Sequence, residues 1–165
     1  MAKTSKSGIS KTGNKAEELF RALTSSQKPP KAALGDAVKN GIYAEVKKVS
    51  ENTLNQVRAV KYITLVAYDS EKKEWYVVPA CDVVELIAGK ERGQHTENPF
   101  ESATLTLRII GPYKVSGSDL SAAWAAAVEK SDGKPLLKQK MDEVLEECKK
   151  LSTKHKKEVR EMLKA

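Results

Sequence analysis

The stretch G-D-A-V-K-N-G-I-Y-A-E-V-K-K, residues 35–48, decides the fold of this chain. At its centre, Asn40-Gly41 predicts a tight β-hairpin, because a type I′ turn needs positive φ at both central residues and these residue types tolerate it. We expect Asp36 to open the first strand and Ile42 to begin the second. The hairpin is therefore the first fixed piece of a β-sheet.

Three charged side chains are expected to gather at the open end of this hairpin. Side chains alternate along a strand, so Glu45 and Lys47 share a face, and the hairpin returns Asp36 to about their level. Two carboxylates suit Mg²⁺, which prefers oxygen ligands and keeps several waters. A lysine beside such an ion can orient a water or help to deprotonate it. The pattern indicates a candidate metal site.

The Glu-x-Lys pattern is common in a chain with 31% charged residues, and it recurs at Glu71 and Glu147. The copy at Glu45 differs in its context, which is a strand pattern with an aspartate across a hairpin. The alternative interpretation is an exposed hairpin edge, whose charges keep it soluble and discourage edge-to-edge pairing. The residues alone leave both interpretations open.

Asp36, Glu45 and Lys47 resemble the motif of the PD-(D/E)XK nuclease superfamily, which includes many restriction endonucleases. Gly35 stands where the family's name has a proline. The resemblance implies an α/β, restriction-endonuclease-like fold, with a mixed central sheet flanked by helices and a helical C-terminal tail. It also implies that Asp36, Glu45 and the Val46 carbonyl bind Mg²⁺, which Mn²⁺ can replace, and that Lys47 is catalytic.

The resemblance suggests two further site residues. In many relatives an acid from the first helix reaches the metal, which implies Glu17 or Glu18 here, and Glu17 is our predicted ligand. The alternative is an ordinary acid near a helix start that complements the helix dipole. Gln56 is predicted to approach the attacking water or the scissile phosphate, whereas its alternative is a place on a solvated helix face.

The charge of the chain favours a polyanionic partner. Its 165 residues carry a formal net charge of +7 with a pI near 9.3, which indicates nucleic acid first and an acidic membrane surface second. Cys81 and Cys148 are too few and too far apart for a disulfide framework, so we expect buried thiols. No segment resembles a signal peptide or a bilayer span, so we expect a cytoplasmic protein without a membrane partner.

We interpret the chain as an arm followed by one domain. Residues 1–12 are small, polar and basic, and are expected to be a flexible arm. Residues 13–165 are predicted to form a single nuclease domain. It comprises a core at 13–88, a readout loop and strand at 89–117, and C-terminal helices at 118–165.

Hydrophobic spacing predicts the elements of the core. A first helix over 13–23 follows from apolar residues at helical spacing. Leu54, Val57 and Val60 predict a second helix over 50–61. The strand that the family places before Asp36 is expected at Ala32–Leu34. The other expected elements are a central strand at 62–68, an antiparallel return strand at 74–79 with a structural Trp75, and a short helix at 81–88.

The loop after position 88 carries residue types that read base edges or phosphates. Arginine and lysine pair with guanine, and asparagine and glutamine pair with adenine. The alternative is an irregular connector. The residues predicted to bind nucleic acid are Lys90, Arg92, Gln94, His95 and Asn98.

The C-terminal residues from 118 onward are expected to be helical, with a break at Asp132-Gly133 and a restart at Pro135. Apolar residues from Leu137 onward recur in steps of three or four. This stripe suits packing on the domain's own sheet or on the same helix of a second subunit. His155 on the stripe is expected to be structural.

These expectations indicate a Mg²⁺-dependent endonuclease that cleaves double-stranded DNA sequence-specifically, of restriction or homing type. A chain this short makes double-strand breaks most naturally as a homodimer or higher symmetric oligomer, because one active site cuts one strand. The alternatives are a Holliday-junction resolvase and a non-catalytic basic module that binds nucleic acid.

Overall fold

Helices lie on both faces of a mixed sheet in the computed structural model, which describes residues 11–88, 90, 101–132, 143 and 146. One sheet has the strand order β1-β2-β4-β5-β7, and β3 pairs with β6 in a separate ribbon. The expected α/β class with a mixed, helix-flanked sheet is confirmed. The helices are α1 (Lys11–Thr24), α2 (Ala80–Ile87), α3 (Leu107–Ile110) and α4 (Leu120–Asp132). The strands are β1 (Ala37–Lys39), β2 (Ile42–Lys48), β3 (Thr53–Val57), β4 (Thr64–Asp69), β5 (Glu74–Val78), β6 (Ala103–Thr106) and β7 (Lys114–Val115).

The predicted hairpin is confirmed. Strands β1 and β2 pair antiparallel, with Lys39 opposite Ile42 and Ala37 opposite Ala44. Asn40 has φ 50° and Gly41 has φ 78°, the left-handed conformations that this turn requires. The first strand begins one residue later than expected, so Asp36 lies just outside it.

Strand β2 joins the rest of the sheet through a parallel pairing with β4, and β5 returns antiparallel beside β4. The predictions of a central strand and a return strand are confirmed, with bounds shifted by one or two residues. Trp75 on β5 is buried against Phe20 and Tyr68, which agrees with a structural role.

The alternation of side chains divides the core into two layers. On one face, α1 and α4 cover Val46, Val66 and Val77, with Phe20 and Trp124 as the largest buried side chains. On the other face, α2, α3 and the β3–β6 ribbon cover alternate residues of β4 and β5. The central strands therefore bury both faces, which explains their continuous apolar sequence.

The predicted helix over 50–61 is wrong. The segment forms strand β3 and a 3₁₀ turn at Ala59–Lys61, and Leu54 and Val57 both lie in the core. The register against β6 shifts between these two residues, and Gln56 has φ 55°. A β-bulge adds a residue to one strand, so it turns the strand period of two into a helix-like spacing of three.

One shorter prediction also fails. Ala32–Leu34 is a 3₁₀ turn and not the expected strand. Its place beside β1 is taken by Gln27, whose main chain exchanges both hydrogen bonds with Val38. The strand expected after the readout loop is present as β6, which ends at Thr106, immediately before α3. The predicted helices over 13–23 and 81–88 are confirmed as α1 and α2.

The predicted C-terminal helices are confirmed for α4, and Glu143 and Glu146 are helical. Cys81 is buried, as expected. Within the described part of the chain, every helix is too short or too polar to cross a lipid bilayer. Lys11 and Thr12, which were expected in the flexible arm, form the start of α1. The predictions for residues 1–10, for Arg92, Gln94, His95 and Asn98, and for Cys148 and His155 lie outside the described residues.

Candidate active site

The carboxylate of Asp36 lies at the open end of the hairpin. Its main-chain amide donates to the carbonyl of Ala44, and its Oδ2 accepts a hydrogen bond of 2.8 Å from the amide of Val46. Ala37 pairs with Ala44, and Asp36 lies just outside the strand, where both its main-chain amide and its carboxylate bond to β2. The negative charge of Glu45 raises the pKa of Asp36, so the two predicted carboxylates lie close enough to interact.

Glu45 is held by two lysines. Lys47 Nζ lies 3.1 Å from Glu45 Oε1, and Lys61 Nζ lies 2.5 Å from Oε2. The three side chains are 23%, 17% and 12% exposed for Lys47, Lys61 and Glu45 respectively. The structure thus brings the three motif residues together and adds a fourth charged residue, Lys61, to the cluster.

The two carboxyl groups are shifted in opposite directions. Burial raises the pKa of Asp36, and the nearby negative charge of Glu45 raises it further, although the Val46 hydrogen bond opposes this. Burial also opposes ionisation of Glu45, but the hydrogen bond from Lys61 and the charge of Lys47 outweigh it, so the pKa of Glu45 is lowered. Ionisation is therefore favoured at Glu45. At Asp36, the effect of burial on the pKa is not fully offset by favourable contacts.

The carbonyl of Val46 faces the same edge as the Asp36 carboxylate. In a strand, the amide and carbonyl of one residue point to the same side, and the Val46 amide points to Asp36. Strand β1 begins at Ala37, so its ladder ends before this carbonyl. The oxygens of Asp36, Glu45 and Val46 are a hard donor set of the kind that Mg²⁺ binds.

Helix α1 reaches the site through Glu17 and Arg21. Arg21 Nη1 donates to the main-chain carbonyl of Asp36 at 2.7 Å and lies 3.6 Å from Glu17 Oε2. Burial raises the pKa of Glu17, and the charge of Asp36 raises it further. Of the two acids considered on this helix, Glu17 is half-buried near Asp36, whereas Glu18 is exposed.

The fit of a divalent ion rests on two carboxylates and one carbonyl. Among the described residues, no three His, Cys, Asp or Glu side chains form a metal-binding group. Glu17 therefore does not complete a three-carboxylate group with Asp36 and Glu45, and its role as a ligand stays a prediction. The donor chemistry fits Mg²⁺, but both oxygens of Glu45 contact ammonium groups, which would compete with a bound ion for the charge of the carboxylate.

Gly35 is required by the close approach of the hairpin. It has φ +108°, and a Cβ at this position would lie 2.6 Å from the carbonyl oxygen of Ala44 and 2.9 Å from Ile63 Cδ1. Proline has φ near −65°, so it cannot occupy this position. The departure from the family's proline therefore follows from the tight approach of Asp36 to β2.

Other predicted site residues lie elsewhere or outside the described part. Gln56 is exposed on β3, and no hydrogen bond or ion pair between described residues joins it to Asp36 or Glu45. The helix that was to present it does not form. Lys90 is half-buried, and its amide donates to the carbonyl of Ile87 at the end of α2. Its role in reading DNA stays a prediction.

Two residues of the cluster were missed from the sequence. Lys61 is one of many lysines, and the predicted helix over 50–61 gave it no place near Glu45. The sequence contains a weak indication of Arg21. It follows Glu17 by four residues, so the two side chains share a face of the predicted helix. Its contact with the main chain of Asp36 depends on how α1 packs on the hairpin.

The chain matches no protein-family model, no curated protein and no solved structure. The resemblance to PD-(D/E)XK nucleases therefore depends on the motif residues.

Proposed function

We propose that this protein is a Mg²⁺-dependent DNA endonuclease that hydrolyses phosphodiester bonds. The observation that carries the proposal is the meeting of Asp36, Glu45 and Lys47 at the open end of the hairpin. Asp36 and Glu45, with the Val46 carbonyl, would hold the ion. When bound, Mg²⁺ contributes a positive charge that neutralises phosphate and lowers the pKa of a coordinated water.

The chain's own residues would orient the attacking water and hold the site in place. Lys47 lies beside Glu45 and orients the attacking water for in-line displacement at phosphorus. Asp36 is fixed from two sides, because its carboxylate bonds the Val46 amide and its carbonyl bonds Arg21. Such fixation matters because misplaced groups lose most of the advantage of proximity. Burial of the cluster strengthens its electrostatic interactions.

Double-stranded DNA is the proposed substrate because of the net charge of +7. Since one active site cuts one strand, we propose a homodimer for double-strand cleavage. Restriction and homing endonucleases fit this arrangement, as does a junction resolvase. Sedimentation with and without duplex DNA tests the dimer, and comparison of a duplex with a four-way junction separates a resolvase from the other two.

A second candidate function has one observation in its favour. Both oxygens of Glu45 are paired with lysines, which is also the arrangement of a structural ion-pair cluster in a non-catalytic module. Such a module would bind DNA or RNA through its basic charge without cutting it. The two functions differ in whether a divalent ion changes what happens to the nucleic acid.

The deciding experiment is cleavage of supercoiled plasmid in Mg²⁺, in Mn²⁺ and in EDTA. We expect nicking or linearisation in either ion and none in EDTA. Asp36→Asn and Lys47→Ala are expected to lower the rate by about 100-fold or more, which is the usual contribution of a group acting on the reacting water.

Matched controls separate these effects from general loss of charge. Glu51→Gln removes an exposed acid in the turn after β2, and Lys48→Ala removes the lysine next to Lys47, which points to the opposite face. Both controls should cut like the wild type. DNA binding without cleavage in any divalent ion would reject the nuclease and favour the module.

A further inference from the structure

The Glu45 carboxylate is shared by two ammonium groups of different origin. Lys47 lies on β2 two residues away, and its side chain follows the face of the sheet. Lys61 arrives from outside the sheet, at the end of the 3₁₀ turn Ala59–Lys61, and makes the shorter contact at 2.5 Å from Oε2. The resemblance to PD-(D/E)XK nucleases provides no role for this second lysine.

Lys61 is placed so that its side chain can move while its main chain stays fixed. Ala59 is buried in the core, and Tyr62, which has φ 47°, packs against the same cluster. The turn is thus anchored on both sides of Lys61. The lysine side chain has four methylene groups on rotatable bonds, so its ammonium group can leave the carboxylate without a change in the main chain.

An ion and the Lys61 ammonium repel each other when both contact one carboxylate oxygen, because like charges in a largely buried site are only partly screened. Mg²⁺ binds carboxylate oxygens at about 2.0 to 2.1 Å, and the ammonium of Lys61 already lies at contact distance from Oε2. This repulsion favours the departure of one lysine when Glu45 binds an ion. Lys47 is needed beside the ion in the proposed function, which leaves Lys61 as the group that is exchanged.

We propose that Lys61 is a tethered counter-cation, which neutralises Glu45 in the ion-free protein, competes with the divalent ion for Oε2, and moves to a DNA phosphate once the ion is bound. The inference rests on the proposed nuclease function. The inferred coupling is between ion binding and DNA binding, and the motif residues alone do not imply it. Ion binding releases a lysine for DNA, and DNA in turn favours the released lysine, so each ligand strengthens the other.

Ion binding to the DNA-free protein is the first test. Titration calorimetry with MnCl₂ and MgCl₂ compares the wild type, Lys61→Met and the control Lys48→Met, which removes the same charge from the opposite face of β2. We expect Lys61→Met to bind either ion on the order of tenfold more tightly, because a charge-assisted contact no longer competes. Lys48→Met should change the affinity much less.

This measurement distinguishes a Lys61 that competes with the ion from a Lys61 that only holds Glu45 in position. If Lys61 only holds Glu45 in position, its removal would loosen the carboxylate and weaken ion binding, which overturns the proposal. Thermal unfolding of each variant shows whether the fold is kept. Lys61→Arg gives a second comparison, since it keeps the competing charge and should keep the weak ion binding of the wild type.

DNA binding is the second test. The salt dependence of duplex binding is measured in EDTA and in CaCl₂, and the duplex is checked for integrity afterwards. In EDTA, Lys61→Met should have the same slope as the wild type, because Lys61 remains on Glu45. In CaCl₂ the slope should fall by about 0.9, the contribution of one phosphate contact. Equal slopes in both conditions would overturn the proposal.

The outcomes distinguish failure of the counter-cation proposal from failure of the proposed nuclease function. If the wild type binds ions and cuts plasmid, but Lys61→Met binds ions no more tightly, the counter-cation is rejected and the nuclease stands. If the wild type binds no divalent ion and cuts no DNA, the nuclease function is rejected, and the inference falls with it.

Discussion

The carboxylate of Asp36 takes the place of a strand next to Val46. Strand β1 starts only at Ala37, and Asp36 Oδ2 accepts the Val46 amide at 2.8 Å where the ladder would otherwise continue. The same contact therefore satisfies a buried main-chain donor and fixes a predicted metal ligand. The Asp36 side chain thus has a structural role and a proposed catalytic role, and substitutions can separate the two.

Asp36→Asn should keep the first role and lose the second. The asparagine carbonyl can still accept the Val46 amide, so we expect the free energy of unfolding to stay within about 0.5 kcal/mol of wild type. Asp36→Ala leaves that donor without a partner and should cost about 1 to 3 kcal/mol. Urea unfolding measures both. Metal-dependent nicking should be lost in both variants, and equal stability losses would contradict the structural role.

Gly35→Ala should be strongly destabilising. The new methyl group would meet the Ala44 carbonyl and Ile63 at a backbone conformation with φ +108°. We expect a loss of about 2 to 4 kcal/mol in the free energy of unfolding. Gly35→Pro, which restores the family's residue, should be worse, because proline cannot adopt this φ.

Gly41→Ala is the matched control for Gly35. Gly41 also has a positive φ of 78°, but nothing lies within 4 Å of an added Cβ. It should cost only about 1 to 2 kcal/mol, the penalty for the left-handed conformation alone. A loss as large as that of Gly35→Ala would show that crowding against β2 is not the cause.

Arg21→Met should weaken the site without touching any carboxylate. Arg21 bonds the Asp36 carbonyl at 2.7 Å, so its removal frees the main chain of Asp36 from α1. We expect a loss of about 1 to 3 kcal/mol in stability and slower nicking with an unchanged requirement for the ion. Arg108→Met, an exposed arginine on α3, is the control and should alter neither.

Asp82 should stabilise the fold in a pH-dependent way. Burial opposes its ionisation, but hydrogen bonds from Lys130, Cys81 and Tyr113 outweigh it, so its pKa is lowered in the folded protein. A lowered folded pKa means that the stabilisation is complete above the unfolded value of about 3.9 and is lost as the pH falls through the folded value.

Asp82→Asn tests this dependence. The variant should be less stable than wild type at pH 7 by about 1 to 3 kcal/mol, and the difference should shrink as the pH falls below about 4. Urea unfolding across this range measures it. The exposed Asp119→Asn is the control, for which no such difference is expected. A constant difference at all pH values would show that packing and not charge is responsible.

The part of the site that lies on the hairpin could be predicted, because its residues are neighbours in the sequence. Asn40-Gly41 specifies its turn by backbone conformation alone, and the turn fixes which residues of β1 and β2 face each other. From that register and the alternation of side chains, Asp36, Glu45 and Lys47 were expected together. In the structure Lys47 contacts Glu45, and the Asp36 carboxylate accepts the Val46 amide and interacts with both charges. The parts that were missed involve residues brought in by other elements.

The helix predicted over 50–61 shows why the spacing of apolar residues can mislead. Leu54 and Val57 are both buried, but the bulge at Gln56 separates them by three residues within a strand. Spacing cannot distinguish a bulged strand from a helix over so short a stretch. With that segment misread, Lys61 could not be placed beside Glu45.

The sequence by itself determined the hairpin, the face on which its charged residues lie and the apolar strands that follow, because each depends on neighbours within a few residues. Only the tertiary structure decided that Lys61 and Arg21 reach the site and that Gly35 leaves no room for a side chain. Those contacts join segments whose distance depends on packing of whole elements. Burial and the neighbouring charges then shift the pKa values of Asp36 and Glu45, since both are fixed only when the elements come together.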